Sequence, residues 1–335
     1  LEDFTEVNAP YKVSKLIPLA TQSDNLLGEY LVVCMSEEYL YVHDENARDA
    51  IQRFDRKGNY SGVAVMVGEG PNNLNNISDF LVSDAVLEVL EGMGESSSIH
   101  IFNENGQIVK TTKASYLADS FSKLDEGNYV LYRGFNLPLT ENRLVKLTPS
   151  GEITDVYLPN TYTGSLLPLS EQNFNSSENN LYIHEAFTLA VFMLSDSLET
   201  VIQFDFGRYA IPHRYFEMDW MEGFEMINSQ GFAFISNYWQ SGDLQLIGVH
   251  VQVNGEFSRH HLLWNSALEQ GTKRICSSTQ LPAFQYPIGI VGDKLVFIAQ
   301  AAHVLELNPA YLPSNGKTIE PDDNPVLVFV ALSDI

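Results

Sequence analysis

Two cysteines in 335 residues cannot make the disulfide framework of a small stapled scaffold. An exported chain would permit a Cys34–Cys276 bridge, but both sit near the starts of separate apolar runs, and they read as small buried side chains. Basic residues are also scarce: 19 Lys and Arg face 43 Asp and Glu, giving a formal charge of −24. So negative a net charge argues against binding nucleic acid or an anionic membrane surface. No apolar run reaches the ~18–20 residues a membrane-crossing helix needs; the best stretch, 288–305, is broken by Asp293, Lys294 and His303. HExxH, GxSxG, paired CxxC and P-loop motifs are all missing, which removes the most specific sequence signals for catalysis.

What the chain does have is short strands and tight turns. Residues 39–42, 50–54, 60–66 and 77–82 are short runs of aromatic and β-branched residues separated by polar turns. A turn made of a large apolar residue, three residues and glycine ends at Gly58, Gly106 and Gly151. A version without glycine spans 194–198, and a shortened one is Val253-Asn254-Gly255. The successive steps are 48, 45, 47 and 57 residues. A period of about 40–50 residues built from strands alone points to a β-propeller with one four-stranded blade per repeat. A sandwich or barrel would have to produce that shared turn chemistry by accident.

Residues 41–80 resemble the NHL-type repeat, with Val42-His43-Asp44, Ile51-Gln52-Arg53-Phe54-Asp55 through Gly58, and Gly68-Glu69-Gly70-Pro71. The segments 205–212 and 322–329 make the whole chain similar to the six-bladed propeller lipoproteins of Gram-negative anaerobes, a family of unknown function. That resemblance implies an exported, surface-associated protein with a signal peptide and a lipid-anchored cysteine upstream, and the start at Leu1 without Met fits such processing. It brings no catalytic residues. The repeat's Asp and Arg match Asp44 and Arg48, which we read as a structural ion pair between neighbouring blades in preference to a ligand contact.

The expected architecture is therefore all-β: a single six-bladed β-propeller domain over 1–335, with four-stranded antiparallel blades. Six blades fit better than seven once a helical insertion at 301–324 and the termini are set aside. Residues 1–12 are polar and expected to fray. The strand at 13–19 is expected beside 325–332, so that the N- and C-terminal strands close one blade and leave no open edge.

In antiparallel blades the turn between the second and third strands leaves at the same end as the link to the next blade. Residues 43–49, 91–98, 134–141, 238–243 and 301–324 are expected there, joined by the links 68–76 and 207–223. This loop-rich rim is where binding is expected. Its candidate ligand-binding residues are His213 and Arg214, a cationic pair beside aromatics; Tyr238 and Trp239 on a turn, able to stack on a sugar or peptide; and Arg133 and His184 near second-strand ends. The competing reading of the link is structural, with Tyr215 and Trp220 packing it down, and Trp239 can equally cap the core. The Gly68-Glu69-Gly70-Pro71 segment lacks the lysine and helix of a phosphate cradle, and the adjacent His260 and His261 point to opposite faces of a strand, a poor zinc pair.

No catalytic residues, metal ligands or cofactors are assigned. The first reading is a non-catalytic binding or scaffold module for a glycan, peptide or protein partner, with no nucleic acid and no membrane contact beyond a lipid anchor. The alternative is a metal-dependent lactonase or lyase with a divalent ion held in the central channel by Glu, Asp, Asn or His from several blades. A sensor domain finds no support without a transmembrane or kinase segment.

Overall fold

Glycine turns mark out the fold, and they do so by close packing as much as by conformation. The computed structural model describes residues 4–47, 49–83, 86–124, 127–134, 140–160, 173–177, 180–312 and 318–335. It is a six-bladed β-propeller of four-stranded antiparallel sheets. The first blade comprises Leu31–Met35, Tyr39–Asp44, Ala50–Asp55 and Tyr60–Met66, and the second Asp79–Ser83, Val86–Met93, Ser96–Phe102 and Ile108–Ala114. The third comprises Ser120–Lys123, Tyr129–Tyr132, Asn142–Leu147 and Ile153–Pro159, and the fourth Phe174–Ser177, Asn180–His184, Ala190–Leu194 and Leu198–Gln203. The fifth comprises Phe232–Ser241, Leu244–Val253, Glu256–Asn265 and Gln270–Cys276. The sixth joins Tyr286–Val291, Lys294–Ala299 and Val326–Ala331 to Val13–Pro18.

That last sheet carries the expected closure. Val13–Pro18 runs antiparallel to Val326–Ala331, with Leu16 opposite Val328 and Ile17 opposite Leu327. The chain divides into two compact units, one of residues 1–7, 92–99 and 112–275 and the other of residues 8–91, 100–111 and 276–335. Within the second unit, Ile17, Leu19, Leu40, Phe54, Val296 and Leu327 form one buried cluster, while Ile51, Val65, Phe80, Val89 and Phe102 form another. Within the first unit, Val130, Leu144, Ile183 and Leu194 pack together, and Val191, Ile235, Val249 and Leu262 do likewise. Within each unit, adjacent blades thus bury faces against one another, as short strands must.

The recurring glycines sit in the turn between third and fourth strands and press onto the backbone of an adjoining fourth strand. A Cβ on Gly58 would lie 2.1 Å from the Pro18 carbonyl oxygen, and one on Gly151 would lie 1.9 Å from that of Lys113. On Gly106 it would lie 3.2 Å from the Ala64 carbonyl oxygen. All three also have positive φ. The motif is therefore a blade-stacking contact, which is why it recurs at blade spacing.

Four expectations need correction. Val253-Asn254-Gly255 is not this turn: it joins the second and third strands of the fifth blade. The step of 57 is therefore not a blade period: it compares turns of different kinds, across a repeat lengthened by the helical link before the fifth blade. Residues 238–241 do not form a turn either. The strand continues to Ser241, past a bulge between Ile235 and Asn237 that breaks the alternation, and turns at Gly242-Asp243 between first and second strands. Residues 91–98 reduce to a turn at 94–95, because Glu91 and His100 belong to the ladder and pair with each other at 3.0 Å. Finally, the N-terminal segment is held down. Phe4–Glu6 adds a parallel fifth strand to the fifth blade, and Tyr11 is buried with its ring 5.2 Å from Phe284 and 5.3 Å from Phe297. Its polar composition concealed two aromatic anchors.

The insertion in the sixth blade does contain helix: a short helix at Ala301–Leu305 precedes a 3-10 turn at Pro309–Tyr311. Cys34 and Cys276 are not joined in a disulfide; Cys276 is buried, as expected, and Cys34 partly so.

Candidate functional site

Polar side chains gather where the second strand of a blade ends, and most of them fasten the incoming link. In the first blade Asp44 accepts from the Gly28 N–H at 2.7 Å and from the N–H groups of Asn46 and Ala47 at 2.9 and 3.3 Å. A Cβ on Gly28 would stand 2.8 Å from the same carboxylate. In the second blade Glu91 accepts from the Asn75 N–H at 2.7 Å and from its carboxamide at 2.8 Å. Burial pushes the Glu91 carboxyl up, but the Asn75 bonds and His100 more than offset this, leaving it below the usual carboxylate range. Asp44 is thus a structural tie, and the ion-pair partner expected for it, Arg48, lies outside the described residues.

The same device explains two of the six candidate ligand residues. Arg133 pairs with Asp119, which leads into the first strand of the third blade. Burial raises the Asp119 carboxyl to about 6, against the pull of Arg133. His184 is buried, its Nε2 lying 3.2 Å from the Ser236 carbonyl, while Asn173 donates to the His184 carbonyl at 2.9 Å. Burial lowers the His184 imidazole to about 4, so it is neutral at pH 7 and donates from Nε2.

The deepest tie has no counterpart in the sequence reading. Arg143 meets Glu185 in a two-bonded fork, Nε to Oε1 at 2.6 Å and an Nη to Oε2 at 3.1 Å, with Glu185 wholly buried. Arg143 also donates to the Pro159 carbonyl at 2.9 Å. Arg143 opens a third strand and Glu185 follows a second, positions where charged residues ordinarily signal solvent, so neither stood out.

Tyr238 and Trp239 are strand residues with 2% and 8% exposure, which takes both away from a binding surface. The Tyr238 hydroxyl donates to Gln240 Oε1 at 2.7 Å, and its ring lies 5.4 Å from that of Tyr182. His213 and Arg214 are different. They belong to a 3-10 turn, His213–Glu217, whose Tyr215 is buried while His213 and Arg214 face solvent. Tyr215 is held by Phe187 and Phe224, and by Gly223 of helix α1 (Trp220–Gln230), where a Cβ would meet the Tyr215 ring at 2.9 Å. Asp219 caps α1 by accepting from the Met221 N–H at 2.9 Å. The link is therefore packed down through Tyr215, while Trp220 stays 37% exposed.

The first part of the link, residues 207–216, contains Arg208, His213 and Arg214 and no acid. Arg208 lies over the Tyr209 ring at 4.7 Å. His213 Nδ1 is 3.4 Å from Glu217, both well exposed; among the described residues no carboxylate pairs with Arg214. Elsewhere, His261 is buried in its strand while His260 is half-buried and contacts Ser258 at 3.2 Å. Among the described residues no group of three or more His, Cys, Asp or Glu could hold a metal ion.

Buried neutral histidines make stability depend on pH. Burial, helped by Arg259 and Arg274, lowers His261 to about 3. A folded-state value below the ordinary 6.5 means the unfolded chain takes the proton first, so stability is lost as pH falls below 6.5 towards 4 for His184 and 3 for His261. Each contributes a slope of up to about 1.4 kcal/mol per pH unit. His250 and His260 are lowered to about 4 by burial as well and add two further slopes of the same sign. Asp119, raised from 3.8 to about 6, acts in the opposite sense between those values and cancels one of the four slopes. Stability from urea unfolding is expected to fall by about 3–4 kcal/mol between pH 6 and pH 5. A flat or rising profile would contradict the buried neutral state.

Residues 9–331 match the family described as "Domain of unknown function (DUF4934)". Among solved structures, one from Bacteroides fragilis designated "Putative exported protein" superposes with a TM-score of 0.76 and 16% identity, covering 98% of each chain. A member of the duf4221 family from Bacteroides vulgatus gives a TM-score of 0.55 and 11% identity, covering 95% of this chain and 96% of that one. At such identities the likeness is one of fold. No curated protein matches the sequence.

Proposed function

This chain belongs to the DUF4934 family, and from that premise we propose that it is a non-catalytic recognition module of an exported protein, binding an acidic glycan through the link before its fifth blade. The observation that carries this reading is Arg214. It is exposed, has no carboxylate partner among the described residues, and stands on a turn fixed by the buried Tyr215. A guanidinium so held offers a two-pronged donor to a carboxylate. Arg208 adds a second positive charge within the same ten residues, and the exposed Trp220 offers a ring face for stacking. The designation of the Bacteroides fragilis fold relative as exported supports the export of this chain.

An array of acidic and neutral glycans tests the proposal. Parent protein is expected to prefer carboxylate-bearing glycans, with Arg214→Ala weakening binding by roughly tenfold or more, the equivalent of one charge-assisted hydrogen bond. Arg214→Ala retaining parental binding to acidic glycans would overturn it.

A further inference from the structure

The outer strand of the fifth blade, Gln270–Cys276, is covered by a strap of only three strand residues. Phe4, Thr5 and Glu6 lie parallel to Gly271, Thr272 and Lys273, and the Val7 N–H donates to the Lys273 carbonyl at 2.8 Å. Two side chains give this pairing its specificity. The Phe4 ring occupies the space a side chain at Gly271 would need, where a Cβ would stand 2.4 Å from it, and it meets Trp264 edge-on at 5.8 Å. Two residues on, Glu6 forms an ion pair with Lys273 at 2.9 Å. Between them Thr5 points to solvent.

A strand edge supplies backbone bonds to any extended segment, and selection falls to alternate side chains. Here one position is a slot over glycine walled by Trp264, and the next on the same face is a lysine. The strap gives this edge three paired residues, one aromatic ring and one carboxylate. We propose that this edge is a strand-acceptor site for an extended segment of a partner protein carrying an aromatic residue and, two positions later, an acid, with Phe4–Glu6 as its resident occupant. This site is separate from the link of the fifth blade and does not depend on what the link binds.

The test uses the full chain carrying Phe4→Ala and Glu6→Ala, which weakens the strap and leaves the acceptor intact. A fluorescein-labelled peptide of residues 4–10, Phe-Thr-Glu-Val-Asn-Ala-Pro, is titrated and followed by anisotropy. Saturable binding is expected, tighter than to the parent, whose own strap competes. Gly271→Val in that background is expected to weaken it about tenfold by filling the slot. Lys273→Glu is expected to weaken it as well, and a peptide with lysine in place of the acid should restore binding to that variant. The charge exchange remains informative if Gly271→Val fails to fold. Absence of saturable binding, or binding indifferent to both substitutions, would overturn the proposal. So would a doubling of mass in sedimentation without peptide, which would give the edge to a second copy of the chain.

Discussion

Arg143→Met is expected to destabilise the protein by about 3–5 kcal/mol, because it leaves the Glu185 carboxylate buried without its counter-ion. Glu185 has no exposure, and both of its oxygens are taken by the Arg143 fork. With Glu185 fully buried, solvent does not reach its oxygens to replace the lost donors. The cost is one of desolvation rather than of lost attraction, and this has a second consequence. Replacing both residues with methionine is expected to recover most of the stability, since a buried ion pair often contributes little over an apolar pair of similar volume. Urea unfolding of the two single variants and the double variant measures this directly. A single variant within about 1 kcal/mol of the parent would mean the carboxylate reaches solvent or is protonated without difficulty.

The glycine turns give the second large effect, and they give it in a graded form. Gly151→Ala and Gly58→Ala are each expected to cost at least about 3 kcal/mol, from positive-φ strain together with overlap onto a neighbouring strand's carbonyl. Gly106→Ala has the same strain but a Cβ contact of 3.2 Å, so about 1–2 kcal/mol is expected. Gly62, with positive φ and nothing within 4 Å, isolates the strain alone. Thermal melts ranking Gly151 and Gly58 above Gly106, and Gly106 level with or above Gly62, would establish that these turns hold blades together. Equal losses at all four would reduce the motif to backbone conformation.

That distinction also explains how much of the fold could be read from the chain. The repeat was legible because stacking demands the same small residue at the same place in successive blades. Closure was legible because residues 13–19 and 325–332 are each a strand without a local partner. Legibility ended where one local rule hid another. The bulge at Ile235–Asn237 broke the alternation, so Tyr238 and Trp239 looked like turn residues when they are core residues. Glu91, His100, Arg143 and Glu185 gave no signal as pairs, because a charged side chain is usually solvated and their partners lie 9 to 42 residues away along the chain. The link at 207–216 survived as a candidate for the opposite reason: its cations stand out in an acidic chain, and Tyr215 anchors the turn from beneath.

Two of the candidate arginines differ in setting, one tying Asp119 and one facing solvent. The decisive measurement is acidic-glycan binding by Arg214→Ala and Arg133→Ala, each normalised to the folded fraction from its own melt. Arg214→Ala is expected to melt like the parent and lose binding, while Arg133→Ala melts lower and binds normally per folded molecule. The reverse pattern, with binding lost at Arg133 and kept at Arg214, would contradict a recognition surface on the link.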